Sequence, residues 1–477
     1  MSKFTAALAV SLAAASLATA ARAQAPKTAP DTGEAGFRAL YKELVETNTT
    51  FSAGNCTTAA EQVAARLKAA GFADSDLTLF TPPDHPKDGG LVAVYAGKDP
   101  KAKAVLLLAH IDVVEAKRED WVRDPFKLVE EDGYFYARGS SDDKAQAAIW
   151  ADLLIRLKKE GYKPRRTIKM ALTCGEEGGG QVNGAMWLSQ NKKDLIDAGI
   201  ALNEGAGGEL DAAGKPVSHT ILAAEKTSQG YRLEVTNPGG HSSRPVPDNA
   251  IYRLAHALTA IEGYEFPVQL NDANKGYFSA MSKIVGGETG AAMAAILANP
   301  QDKAADALLS KDPNYHATLR STCVATMLDA GHAPNALPQR ARATINCRIF
   351  PGTSPEAVRG TLEKLVNDPK VAVTMNDVRH APVSPTPPLS KAVLDPIQKV
   401  SQAMWPGVPV VPILQAGATD AVFTNAVGIP TYGVSGIFYD PDLGHIHGLN
   451  ERVRVKSVLE GREFSYTLIK LYADAKD

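Results

Sequence analysis

Between residues 104 and 204 the chain repeats one pattern, in which an apolar run that reads as a buried strand stops at a histidine or a carboxylate. Ala104 to Ala109 runs into His110-Ile111-Asp112. Thr167 to Thr173, with Ile168, Met170 and Leu172 alternating, runs into Cys174-Gly175-Glu176-Glu177, and Gly199 to Asn203 runs into Glu204. A further strand reads at Leu91 to Tyr95, and helices lie between the strands, including one from about Lys144 to Lys159. Strands alternating with helices predict an α/β fold with a mostly parallel sheet flanked by helices. In such open sheets ligands bind outside the carboxyl ends of the strands, so this pattern predicts one site built from many strand ends.

Each signal has a bland reading when taken alone. His110 and Asp112, spaced i and i+2, share a strand face and suit a metal ligand with a carboxylate that fixes its tautomer; a hydrogen-bonded structural histidine fits as well. In Ser140-Ser141-Asp142-Asp143-Lys144 a helix cap explains one acid, and a carboxylate bridging two cations accounts for the second. Glu176 and Glu177 repel each other unless a cation neutralises them or one stays protonated, which suits one ligand beside one general base; the alternative is a solvated acidic turn. Surface charge explains any one of these positions more easily than it explains the series.

Further along, a capping box of Thr57, Thr58 and Glu61 predicts a helix carrying Ala60, Val63, Ala64 and Leu67 that stops at Gly71. Near Thr227 the texture changes: Tyr231 to Val235 reads as a strand, and Ile251, Leu254, Leu258 and Ile261 lie at helical spacing. Two strands flank Asn335, an Ala-rich helical stretch covers about Ala280 to Lys311, and a Pro-rich stretch from Ala381 to Leu389 reads as a linker. These features divide the chain into a split catalytic domain, residues 34–226 and 383–477, and an α+β domain inserted between its halves, residues 227–382. Residues 1–25 read as a signal peptide, with Lys3 before an Ala/Leu/Val run and Ala21-Arg22-Ala23 at its end. A secreted or periplasmic protein, with no membrane attachment after cleavage, is expected. The formal net charge of −2 gives no general attraction to nucleic acid or anionic lipid. In an exported chain the cysteines could pair. Cys323 and Cys347 are equidistant from Asn335 and face each other in simple antiparallel register, with two free thiols as the alternative; no geometric argument joins Cys56 to Cys174.

With these motifs in this order, the sequence resembles the dizinc metallopeptidases of family twenty, which include aminoacylase, carboxypeptidase G and succinyl-diaminopimelate desuccinylase. The resemblance covers nearly the whole chain after the leader. It implies two Zn2+ per subunit, with Co2+ or Mn2+ as alternatives, held by His110, Asp142, Glu177, Glu204 and His447. Asp142 would bridge, Asp112 would orient His110, Glu204 would share a zinc with His110, and Glu176 would be the general base. His447, three residues before Asn450-Glu451, is preferred to His445 as the last ligand.

The inserted segment resembles the family's lid and dimerisation domain. There His241, in Gly239-Gly240-His241-Ser242-Ser243, would stabilise the oxyanion in the partner subunit of a homodimer, and Asn335 and Arg348 would bind substrate. Gly417-Ala418-Thr419-Asp420 also fits, with Ala418 where many relatives have Gly. The implied activity is amide hydrolysis of small peptides by a carboxypeptidase or dipeptidase, with N-acyl amino acid deacylation as the alternative. A non-catalytic binding protein on the same fold predicts damaged ligand positions, and all are present; a structural zinc site would favour paired Cys.

Overall fold

The computed structural model describes residues 33–178, 180–376 and 382–476. The expected signal peptide, and Ala381 at the start of the linker, lie outside these residues. The largest sheet has ten strands among the described residues. Its centre is parallel: Ile168–Thr173, Val105–His110, Ile200–Asn203 and Thr431–Gly433 lie side by side in that order. Antiparallel strands Gly90–Tyr95 and Leu77–Phe80 extend one side. Pro216–Glu225 lies beyond Thr431–Gly433 on the other side and pairs in parallel with Val410–Gln415.

The apolar strands are continuous because both sheet faces are covered. Val105, Leu107 and Ala109 enter the core formed with helices Glu34–Glu46, Cys56–Ala69, Lys144–Lys159 and Val455–Asp474. Leu106 and Leu108 point the opposite way, to a smaller core with helices Gly184–Asn191 and Ala421–Ala426. The period-two alternation of a strand thus feeds two cores from one run. Because the four central strands are parallel, their carboxyl ends open on one edge.

A second, antiparallel sheet has the order Thr322–Ala330, Arg340–Ile349, Thr227–Thr236, Val371–Met375. Its alternating buried residues Tyr231, Leu233, Val235, Ala341, Ala343 and Ile345 pack under helices Ala250–Glu262 and Pro355–Val366. Cys323 stands opposite Cys347 in the register, and the two are disulfide-bonded. A second disulfide joins Cys56 to Cys174, a pairing that sequence spacing could not supply.

One local expectation is corrected. The first turn of the helix Cys56–Ala69 is capped by Asn55, whose side chain accepts from Thr58 N–H, and not by Thr57 or Thr58; the helix begins at Cys56, which leaves both threonines inside it. The Ala-rich stretch is helical as expected, divided among three helices, Asp272–Val285, Gly287–Ala298 and Lys303–Leu309. Gly286 and Gly287 both have positive φ, at 62° and 58°, a conformation that glycine adopts without steric cost and that ends the first helix. Asp302 caps the third by accepting from Ala304 and Ala305 N–H.

Candidate metal centre

Outside the carboxyl ends of the central strands, Asp142 joins two imidazoles. One of its oxygens lies 3.0 Å from His110 Nε2 and the other 3.1 Å from His447 Nε2. Each imidazole has a further carboxylate beside it: Glu204 at 3.9 Å from His110 Nε2, and Glu177 at 2.9 Å from His447 Nε2. The five sequence-predicted ligand residues therefore meet in one place. His110, Glu177 and Glu204 come from strand ends, Asp142 from a helix start and His447 from a loop near the C-terminus. Donor atoms of His110, Asp142 and Glu177 lie within 4.8 Å of one another, as do those of His110, Glu176 and Glu204, so Glu176 is at the same centre.

Each side chain is set by local structure. His110 ends its strand fully buried, and its Nδ1 lies 3.1 Å from the Asp112 carbonyl and 3.4 Å from the Asp112 carboxylate, leaving Nε2 for the centre. Asp112 also accepts from the backbone N–H groups of Glu176 (3.3 Å) and Glu177 (3.1 Å). Asp142 precedes the helix Lys144–Lys159 at a cis peptide bond to Asp143. The N-cap residue of that helix, Asp143, makes no side-chain capping bond, so capping explains neither acid. His445 points elsewhere, its Nδ1 on the Leu449 carbonyl and its Nε2 by Asp442.

Electrostatically the centre is a set of acids that burial has made uncomfortable. Desolvation, outweighing the nearby His110 and reinforced by neighbouring carboxylates, raises the pKa of Glu176, Glu204 and Asp143 well above the usual carboxylate range. Asp142 goes the other way: burial opposes ionisation, but the hydrogen bonds from His110 and His447 hold its pKa below the usual range. Hydrogen bonds to Asp142 and Glu177 push His447 up to about 10. Crowded carboxylates and imidazoles of this kind ask for cations, and an oxygen and nitrogen donor set without thiolates suits several divalent metals.

Three supporting residues were not singled out by sequence reasoning as parts of the site. Glu451, fully buried, accepts from the backbone N–H of Gly139, Ser141 and Asp142 and pairs with Arg138. Asp420 accepts from Thr173 Oγ1 and Asn183 Nδ2, and burial brings it up to about 6. Buried Asp143 keeps Oδ2 without a partner. The doubled acid at 142–143 and the motifs containing Asp420 and Glu451 were visible signals, but their partners were not.

A model of the peptidase family M20/M25/M40 matches residues 106–471. The chain belongs to this family. It is 30% identical over 391 residues to the probable carboxypeptidase S-like 2 of Dictyostelium discoideum, covering 80% of this chain and 74% of that protein. It is also 30% identical over 385 residues to the human N-fatty-acyl-amino acid synthase/hydrolase PM20D1, covering 78% and 75%. Among solved structures it resembles the M20 family metallo-carboxypeptidase Sso-CP2 of Sulfolobus solfataricus, with a TM-score of 0.64, 19% identity and coverage of 92% of this chain and 99% of that one. As a member of this family the chain is a metallopeptidase-type hydrolase.

The predicted lid residues stand apart from the centre. His241, on the short strand Gly240–His241, is exposed and its Nδ1 accepts from Ser243. Asn335 is exposed and accepts from Ser242 N–H through its carbonyl. Arg348 is half-buried in the second sheet opposite Ser228 and Thr322. No hydrogen bond or ion pair among the described residues joins these three to the centre within one chain.

Proposed function

We propose that the protein is an exported two-zinc hydrolase that cleaves an amide bond of small peptides, acting as a carboxypeptidase or dipeptidase. The observation that carries this is the Asp142 carboxylate, one oxygen beside His110 and the other beside His447, with a further acid at each imidazole. On this reading His110, Asp142 and Glu204 hold one cation and His447, Asp142 and Glu177 the other. Bound divalent cations supply Lewis-acid polarisation and a water of lowered pKa. Glu176, left over from the ligand set and with its proton affinity raised by burial, takes a proton from the attacking water and gives it to the leaving amine. Asp112 fixes the His110 tautomer and the Glu176-Glu177 backbone together.

N-acyl amino acid hydrolysis is the second reading. A cavity of about 750 Å³ runs from Asp142, Glu204 and His447 past Leu210, Val217, Ile413, Leu443 and Ile446, and its mixed apolar wall suits an acyl chain. One relative is named as a hydrolase of N-fatty-acyl amino acids. Release of amino acids from a panel of dipeptides and N-acyl amino acids separates the two. Glu176→Gln should retain two zinc equivalents by elemental analysis and lose at least ~100-fold in kcat, the scale of general acid–base catalysis; unchanged turnover excludes Glu176 as the base.

Export to the periplasm or beyond is supported by the leader pattern and by two disulfides, which persist in oxidising compartments. A homodimer is supported by the edge strand Thr322–Ala330, which exposes Val324, Met327 and Leu328; bare apolar edges invite pairing. His241, unattached to its own centre, would then serve the partner's. Met327→Glu should convert the dimer to a monomer by light scattering and cost activity; an active monomer would remove His241 from the mechanism.

A further inference from the structure

Loop 47–55 joins the helices Glu34–Glu46 and Cys56–Ala69, and it is tied to three of the segments that build the candidate centre. The Thr47 carbonyl accepts from Lys144 Nζ at 2.8 Å, two residues after Asp142. Ser52 donates its backbone N–H and its hydroxyl to the two oxygens of Glu115, each at 2.8 Å, three residues after Asp112. The Thr49 carbonyl accepts from Gln181 Nε2 at 3.4 Å, and Cys56, directly after the loop, is disulfide-bonded to Cys174. These two ties hold both ends of the segment that carries Glu176 and Glu177.

The loop is also closed on itself. Gly54 N–H donates to the Thr50 carbonyl and Asn55 N–H to the Asn48 carbonyl; the turn is so tight that a Cβ on Gly54 would lie 2.3 Å from the Thr50 nitrogen. At its tip stands Phe51, 54% exposed. The ring packs on Gly180, four residues after Glu176, where a Cβ would lie 2.7 Å from Phe51 Cζ. A single exposed apolar residue is ordinary on a protein surface. One presented by a loop with this many fixed points, against the glycine that follows the Glu176-Glu177 pair, is a preformed contact surface at the rim of the centre.

The direction of proton transfer says which half of a substrate reaches it. Glu176 passes its proton to the leaving amine, so the amine-side residue lies along the loop of Glu176 and Gly180. The acyl half has its own space in the cavity that runs past Glu204, Leu210 and Ile413, and among the described residues neither Phe51 nor Glu176 lines that cavity. We infer that Phe51 is a specificity-determining residue that packs against the side chain on the amine side of the scissile bond and selects an apolar one. This rests on the hydrolase reading above and applies to dipeptides and N-acyl amino acids alike, since both release an amine-side residue.

The test is steady-state hydrolysis, by zinc-loaded protein, of N-acetyl-glycine, N-acetyl-alanine, N-acetyl-leucine and N-acetyl-phenylalanine, and of glycyl dipeptides ending in the same four residues. From glycine to phenylalanine kcat/KM should rise about 10- to 100-fold, the worth of one apolar side chain in a pocket. Phe51→Ala should reduce that ratio at least tenfold, chiefly through KM, and Phe51→Leu should keep part of it. A second series, from N-acetyl- to N-hexanoyl-alanine, should show the same dependence on acyl length in Phe51→Ala as in the parent. An unchanged side-chain ratio overturns the assignment, as does an altered acyl-length trend, which would move Phe51 to the acyl side. Equal loss on all substrates also overturns it and leaves Phe51 a support for the loop. If the parent hydrolyses no member of either series the hydrolase reading fails, and the same ratios, taken as calorimetric affinities, still decide the role of Phe51.

Discussion

Replacing Glu451 by alanine should damage the metal centre without touching a ligand. The carboxylate is completely buried and gathers Arg138 with the backbone N–H groups of Gly139, Ser141 and Asp142. Those four residues form the turn that presents Asp142 to both imidazoles. Removing one partner of a buried ion pair costs about 3–5 kcal/mol because it strands the other charge, and each orphaned buried donor adds about 1–3 kcal/mol. Since water can enter the space vacated by the side chain, each contribution stays near its lower end, about 3 kcal/mol for the pair and about 1 kcal/mol for each of the three donors, so about 6 kcal/mol is the expected loss. For a domain of this size that corresponds to a fall of roughly 10 °C in the unfolding temperature. With the turn released, metal affinity should fall about 10- to 100-fold, as for loss of groups that orient ligands. Glu451→Gln, which keeps the volume and one acceptor oxygen, should fall between the two. Calorimetric unfolding and titration with a zinc chelator measure both effects. An alanine variant that melts within about 2 °C of the parent and holds zinc equally well would refute the claim that Glu451 holds the turn.

Two other perturbations have signs that the structure sets. Breaking Cys56–Cys174, which spans 118 residues, should cost about 5 kcal/mol by loop entropy, against about 3.5 kcal/mol for Cys323–Cys347, which spans 24. Guanidinium unfolding of the Cys56→Ser/Cys174→Ser and Cys323→Ser/Cys347→Ser pairs checks the ranking, and the first should also lower turnover because Cys174 anchors the loop of Glu176. Buried His219, with Nδ1 on Ser401 Oγ and Nε2 on the Ser435 carbonyl, is lowered to about 4, chiefly by desolvation. Between about pH 6.5 and 4 the unfolded chain binds this proton and the folded one does not. Stability should therefore be intact above about pH 6.5 and decline by about 3 kcal/mol as pH falls to about 4; a His219→Gln variant whose acid profile matches the parent's would show that this imidazole is not the cause.

What was legible in the sequence was whatever repeats with short period. Val105 to Ala109 feeds two cores by alternation, so its apolar run, its end at His110 and the direction of Asp112 all follow from strand geometry. The helix Lys144–Lys159 was legible for the same reason. Contacts between residues far apart in sequence were not. Glu451 serves a turn 310 residues before it; the Asn450-Glu451 motif marks the position, but nothing local names that turn as its partner. Lys226 reads as an ordinary strand-edge lysine until both sheets close over it.

The pair Glu176-Glu177 shows where sequence reasoning stops and why. Two adjacent acids on a loop have the same composition, neighbours and distance from the strand end, so the spacing alone does not say which binds metal. Their division comes from Asp112, whose two oxygens take both backbone N–H groups and fix the loop's orientation. Held that way, Glu177 reaches His447 at 2.9 Å while Glu176 stays beside His110 and Glu204 in a buried setting that favours its protonated form. Asp112→Asn replaces one of those acceptor oxygens with a donor that faces another donor. The loop should then rotate, and the variant should lose zinc from the His447 side and base function together, rather than the His110 tautomer alone. Loss of turnover with both metals retained and the Glu177–His447 contact intact in a crystal structure would confine Asp112 to orienting the imidazole.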